Sequence, residues 1–332
     1  MSAARTTIIA EIASAHEGDP EFARRLWRLA CATGADAVKF QIFRRAALMS
    51  RVHPKYESFG QIEIAPEDWR AILKEAGQGP AEIVAEIYDE DSLALAQESG
   101  VVAAYKIPTS DIGNRALVRA AVATGRRLFL AVGGAREDEI AEAVSWLSDA
   151  KAQAVLLHGF QAYPTRIEDT HLARLPALRE RYGLAVGYAD HVDAEDRELA
   201  RLVPAMAIAA GASAIEKHIT EDRARKGRDH YSALDPAEFA DFVALIRRIE
   251  QAMGSADPAL GEAEVRYRNE MKKQAVAARA LSVGARLGRG DVAFKRIGGP
   301  GLAPDGLEPL LGRALRAAKQ PDDPLQAEDF SP

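Results

Sequence analysis

With one cysteine, Cys31, the chain cannot form an intrachain disulfide, so packing rather than cross-linking has to hold it together. Cys31 stands in the apolar, helix-like run LWRLACATGA, which favours a buried thiol over a nucleophile and fits a reducing, cytoplasmic setting. An excess of positive charge is missing too. The net charge is -6 and Lys and Arg are spread along the chain, which leaves no basic face to neutralise phosphates, so nucleic acid is not an expected partner. Long apolar runs are missing. In MSAARTTIIAEIASAHEGD the apolar run is cut by Glu11 after a few residues, too short for a signal-peptide core or a membrane span, and no membrane association is expected. No Walker-type or GxGxxG loop occurs, so a nucleotide is not indicated.

What is present is the composition of an ordinary soluble protein, 48% hydrophobic and 28% charged, on 332 residues. That length exceeds one comfortable core and predicts a large domain with a smaller one. Short β-rich runs are expected over 6–11, 36–41, 82–87, 103–107, 127–132, 153–158, 184–188 and 213–218. Segments with helical spacing follow them, such as PEFARRLWRLACATG, REDEIAEAVSWLSDA and DPAEFADFVALIRRIEQAMG. Pro opens and Gly closes the first, as helix ends prefer. Eight strand-then-helix units within about 250 residues predict an α/β fold of the closed (β/α)8 TIM-barrel type over 1–255 rather than an open sheet. The alternation then stops. A charged linker over 256–274 and a small, loop-rich β domain over 275–332, punctuated by Gly and Pro, are expected.

Barrel enzymes work at the carboxyl ends of their strands, so the residues there carry the functional reading. In order they are Glu11 with His16 and Glu17; Lys39 and Gln41; Glu86; Lys106 with Thr109, Ser110 and Asp111; His158 and Gln161; Asp190 and His191; and Glu216 and His218. Solvation explains any one of these but not the whole set. Lys39 and Lys106 lie between apolar neighbours, where an ammonium needs an anion, either a structural partner or a substrate. His191 and His218, on adjacent strand ends, suit a divalent metal, with Asp190, Glu216 or Glu17 as outer groups or water holders. Period-two alternation turns Glu216 and His218 inward and Lys217 toward the helices. Lysines for an anion, histidines for a metal and carboxylates for proton handling imply chemistry on a phosphorylated or carboxylated small molecule.

The motifs IIAEIASAHEGD, GADAVKFQIF, AAYKIPTSD, LLHGFQAYPTRIEDTHL, VGYADH and IEKHIT…KGRDH, in this order, resemble the sialic acid synthase family, the phosphoenolpyruvate-dependent nonulosonate synthases. VAFKRIGGPGLAP is similar to the small antifreeze-like (SAF) domain of those enzymes. The resemblance implies condensation of phosphoenolpyruvate with the open-chain aldehyde of an N-acetylhexosamine-type sugar, giving a 2-keto-3-deoxy acid and phosphate. It also implies a domain-swapped homodimer and a divalent cofactor, Mn2+ first and Mg2+ or Co2+ as alternatives, on His191 and His218. Glu17 would orient the water that attacks C2 of phosphoenolpyruvate, and Lys39 and Lys106, with Thr109, would bind its carboxylate and phosphate. Asp111, Glu216, Tyr163, Asp229, Gln161 and Arg296 fall at positions for the sugar or for proton transfer.

The chain departs from the family pattern at Ala15, Ala131, Ala189, Gln161, Glu86 and in KGRDH. Lost hydroxyls and a shifted amide remove roughly three hydrogen bonds to anionic oxygens, each worth about 1.5–3 kcal/mol. Arg44, Arg45, Arg225 and Arg228 read as solvated surface more simply than as contacts to an acidic acceptor. Two other readings of the same barrel are a Schiff-base aldolase using Lys106 and a non-catalytic sugar-acid-binding homologue.

Overall fold

In the computed structural model, which describes residues 5–149 and 152–331, eight β-rich segments pair in parallel in chain order and the eighth closes on the first. The staves are β1 (Thr7–Glu11), β2 (Ala37–Ile42), β3 (Glu82–Ile87), β4 (Val102–Ile107), β5 (Arg127–Ala131), β6 (Ala154–His158), β7 (Ala185–Asp190) and β8 (Ala212–Ile219). A two-residue β9 (Ala233–Leu234) extends β8 at its carboxyl end. Long helices return the chain between staves: α1 (Pro20–Ala32), α4 (Pro66–Ala76), α5 (Glu90–Glu98), α6 (Arg115–Ala123), α7 (Glu137–Asp149), α8 (Arg174–Tyr182) and α9 (Leu199–Ala209), with α10 (Pro236–Met253) after β9. Two short helices, α2 (Arg45–Leu48) and α3 (Tyr56–Gly60), precede α4. None of these is long and apolar enough to cross a membrane.

The sequence dictates where α1 starts. Asp19 accepts hydrogen bonds from the backbone N–H of Glu21 and Phe22, and Pro20 takes the first helical position, where its missing N–H costs nothing. α1 then lays Phe22, Ala23, Leu26, Trp27 and Ala30 against the barrel layer. Cys31 sits half-buried at the edge of this core, and burial raises its thiol pKa.

The staves are nearly continuous apolar runs because both faces are covered. Outward residues such as Val38, Phe40, Leu156, Val186 and Tyr188 pack under the helices. Inward, Ile9, Ala37, Val84, Ala104, Phe129, Val155 and Ala214 form a buried apolar plug. Two residues further along the same staves, period two aims Glu11, Lys39, Glu86, Lys106 and Glu216 at the same axis. The apolar layer is therefore the floor of a charged one.

The chain divides into two units at Ser255/Ala256. In the second, the segment expected to be a linker contains α11 (Glu262–Met271). Glu264 accepts from the Gly261 N–H, acids fill the first turn, and Arg268 stands in the last, so the charges that suggested a linker complement a helix dipole. None of its residues is buried. β10 (Gln274–Ala277) and β11 (Val292–Lys295) form an antiparallel pair over a small core of Ala275, Leu281, Leu287, Leu315, Leu325 and Phe330.

Candidate active site

Lys39 and Lys106 are almost fully buried, and each has found carboxylates. The Lys39 ammonium bridges to Glu11 and Glu86 and lies 3.0 Å from Glu216. Lys106 donates to both oxygens of Glu216, at 2.8 and 3.1 Å, and lies 3.4 Å from Glu86. Strand register explains the network: Glu11 lies opposite Lys39, Glu86 opposite both Gln41 and Lys106, and all point inward. Each of these ions would cost several kcal/mol to bury alone, so the cluster exists only because its members arrive together. Burial opposes the charge on Glu216, yet Lys106 and Lys39 overcome it and hold the carboxyl ionised well below its usual range. Glu216 is thus an anchor for two cations, a poor proton donor. On Lys106 burial is likewise outweighed, by Glu216 and Glu86, and its pKa rises. On Lys39 burial wins over the same two carboxylates, and the pKa falls to about 8.

This layer floors a cavity of about 220 Å³ at the carboxyl ends of the strands. Its walls include Thr109, Gln161, Tyr163, His191 and His218, together with Ala131 and Ala189. Thr109 Oγ1 is buried with no hydrogen-bond partner, a hydroxyl left for a ligand. Tyr163 packs on His191, with ring centroids 4.4 Å apart, and donates its hydroxyl hydrogen to Gln161 Oε1 at 3.0 Å. The rim from β5 to β7 is built by close backbone approach. A Cβ on Gly133 would stand 1.6 Å from the Gly159 carbonyl oxygen, and one on Gly159 would stand 2.5 Å from that of Ala189.

His191 and His218 lie with ring centroids 5.5 Å apart. Burial lowers the pKa of both, and on His218 the neighbouring His191 lowers it further, so both imidazoles are neutral at pH 7. His191 Nδ1 lies 2.9 Å from the Phe160 carbonyl oxygen, which can only accept. That bond assigns the proton to Nδ1 and leaves Nε2 a lone pair. His218 Nδ1 is buried without a partner. Two neutral, adjacent imidazoles with unused nitrogens fit a divalent cation. Among the described residues no cluster of three or more His, Cys, Asp or Glu completes such a site.

Of the residues read from the sequence, Lys39, Lys106, Thr109, Gln161, Tyr163, His191, Glu216 and His218 therefore share one cavity. Glu17, Asp111 and Asp229 are not part of its lining. Glu17, at φ +53°, is exposed on the β1–α1 loop against Gly227. Asp111 accepts from Ser110 Oγ at 2.8 Å, one residue from the wall. Asp229 accepts from the Ser14 N–H at 3.1 Å, and burial raises its pKa. Arg296 is exposed in the second unit.

Two rim residues face the other way. His158 bonds the Thr170 carbonyl and packs on Tyr188 under the helices, and Asp190 pairs with fully buried Lys217 in that same outer layer. Asp190 thus does not support a metal on His191. Lys217 faces the helices, as the alternation required. Arg44, Arg45 and Arg225 are occupied by Glu63, Glu57 and Glu221, and Arg228 by the Ser58 carbonyl. Tyr88, two residues beyond Glu86 and also on the wall, was missed, although the period-two count from β3 reaches it.

Comparison with known proteins agrees with this geometry. The chain is 31% identical to an uncharacterised Methanocaldococcus jannaschii protein, over 98% of this chain and 94% of that one. It is 29% identical to the N,N'-diacetyllegionaminic acid synthase of Legionella pneumophila, over 93% and 90% of the respective chains. The solved N-acetylneuraminic acid synthetase of Leptospira borgpetersenii, in complex with citrate, superposes with a TM-score of 0.74 at 29% identity, covering 80% of this chain and 92% of that one. The SAF domain model matches residues 273–331. The NeuB family model matches residues 26–258, most of a barrel whose mouth holds the paired lysines and histidines, and the chain belongs to that family, the sialic acid synthases.

Proposed function

We propose that the chain condenses phosphoenolpyruvate with the aldehyde of an N-acetylhexosamine-type sugar, forming a nonulosonic 2-keto-3-deoxy acid and phosphate. The observation that carries this reading is the placement of Lys39 and Lys106 beside His191 and His218 in one cavity at the barrel mouth. In the reaction C3 of phosphoenolpyruvate bonds to the aldehyde carbon, water adds at C2, and the C2–O bond to phosphate breaks as the keto group forms. Lys39 and Lys106 would seat the carboxylate and phosphate with the free Thr109 hydroxyl, and holding both reactants at one barrel mouth would replace a bimolecular collision with a fixed approach. A cation on His191 and His218, Mn2+ first and Mg2+ or Co2+ as alternatives, would polarise the aldehyde oxygen. Glu17 is proposed to orient the water, with Asp111, Gln161, Tyr163 and Asp229 as sugar contacts.

The second unit is proposed to act in trans. In a homodimer, the partner subunit's Arg296 would reach the sugar over the barrel mouth. Its support is that Arg296 is exposed. The aldolase reading needs a neutral Lys106 amine, whereas Glu216 and Glu86 keep that group charged. Mass spectrometry of reactions with phosphoenolpyruvate, Mn2+ and a panel of hexosamine aldehydes tests the proposal. A product equal to aldehyde plus a pyruvate unit is expected, and none from any aldehyde would sink it.

A further inference from the structure

The charged layer holds three carboxylates, Glu11, Glu86 and Glu216, against two ammonium groups, Lys39 and Lys106, all of them buried. No other Lys and no Arg lines the cavity. An arriving anion thus meets no unpaired cation and a layer that carries one excess negative charge. Glu86 is the member whose position explains this. Its Oε2 bonds Lys39 and receives a 3.4 Å contact from Gln41 Nε2, while its Oε1 lies 3.4 Å from Lys106. It spans the two cations in the manner of a bound carboxylate ligand.

We propose that Glu86 sets the affinity of the site for anions, as a resident carboxylate occupying the seat between Lys39 and Lys106 that the substrate's own carboxylate or phosphate must take over. The role rests on the reading of the substrate as phosphoenolpyruvate. The other acids do not fit the part. Glu11 is tied to the backbone, accepting from the Ala13 N–H at 2.5 Å, and Glu216 holds Lys106 with both oxygens. Without Glu86 the layer balances, two carboxylates to two ammonium groups, and each lysine keeps a partner: Lys39 has Glu11 and Glu216, and Lys106 has Glu216. Glu86 is therefore dispensable to the cluster's charge balance, while it weakens the site for anions.

The test is calorimetric titration of phosphoenolpyruvate, with Mn2+ present, into the full-length protein and its Glu86→Gln and Glu86→Ser variants. Because a charge-assisted contact is exchanged in each case, both variants are expected to bind about tenfold or more tightly. The KM for phosphoenolpyruvate should fall in step while that for the aldehyde stays unchanged. Glu86→Gln keeps the shape of the side chain and is read if the serine variant does not fold. Equal or weaker binding by Glu86→Gln overturns the proposal. If the wild type still releases phosphate from phosphoenolpyruvate in that case, the seat alone is disproved. Tighter binding by Glu86→Gln with no phosphate release by the wild type or either variant would support the seat and overturn the proposed reaction.

Discussion

His16 is a buried imidazole whose protonation the fold resists. Its ring is buried against Trp69, its Nδ1 accepts from the Gly18 N–H at 3.0 Å, and burial lowers its pKa to about 4. Near pH 7 the ring is neutral in the folded and unfolded chain alike. Between pH 6.5 and about 4 the unfolded chain binds a proton that the folded one does not, so stability falls by about 1.4 kcal/mol per unit, roughly 3 kcal/mol in all. His16→Asn keeps an acceptor for Gly18 and should remove this part of the slope. Urea midpoints for both proteins across that range would show it, and parallel slopes would refute it. Reading single residues from the sequence worked where strand parity applied. Counting turned Glu216 and His218 inward and Lys217 outward, because neighbours on a stave alternate between the barrel axis and a helix layer, whereas Lys39 and Lys106 stood out by their apolar neighbours. Glu17 stands on a loop, Asp111 ends a 3-10 turn and Asp229 precedes one, so no strand period constrains their side chains; Glu17 and Asp111 were read from their nearness to strand ends, and Asp229 only from resemblance to a family.

Among the elements, β7 and β8 are joined by more than their hydrogen-bond ladder. Asp190 lies opposite Lys217 in register, and the pair is fully buried beneath the helices. Tyr188 Oη and the Val192 N–H also donate to Asp190, at 3.1 and 3.3 Å. Lys217→Met would leave a buried carboxylate with those two donors and no cation, at a cost of about 3–5 kcal/mol by chemical denaturation. Adding Asp190→Asn should recover most of that loss, and a double variant as unstable as the single would contradict the account. The same pair shows why the rim was only partly legible. Asp190 and His158 come last in their staves, and position alone drew them into the site, although the alternation through Tyr188 and Leu156 assigns both to the outer face. α11 was hidden for another reason: its apolar content is too low to display a face, and only its end charges mark it.

At the scale of the molecule, the barrel was legible because eight repeats of one pattern constrain each other, while the second unit has one polar helix, short strands and turns, and no repeat. Its proposed part in the reaction gives a separable outcome. Arg296→Ala should raise the KM for the sugar about tenfold, the loss of one charge-assisted contact, and leave that for phosphoenolpyruvate and the unfolding temperature unchanged. Sedimentation should show a dimer, and a monomer with full activity would rule out action in trans. The most direct measurement is phosphate release from phosphoenolpyruvate with Mn2+ as a function of added hexosamine aldehyde. The account predicts release that requires the aldehyde, one phosphate for each aldehyde consumed, and that is lost on chelation or in Lys106→Met. Release that ignores the aldehyde, or no release with any member of the panel, would contradict it.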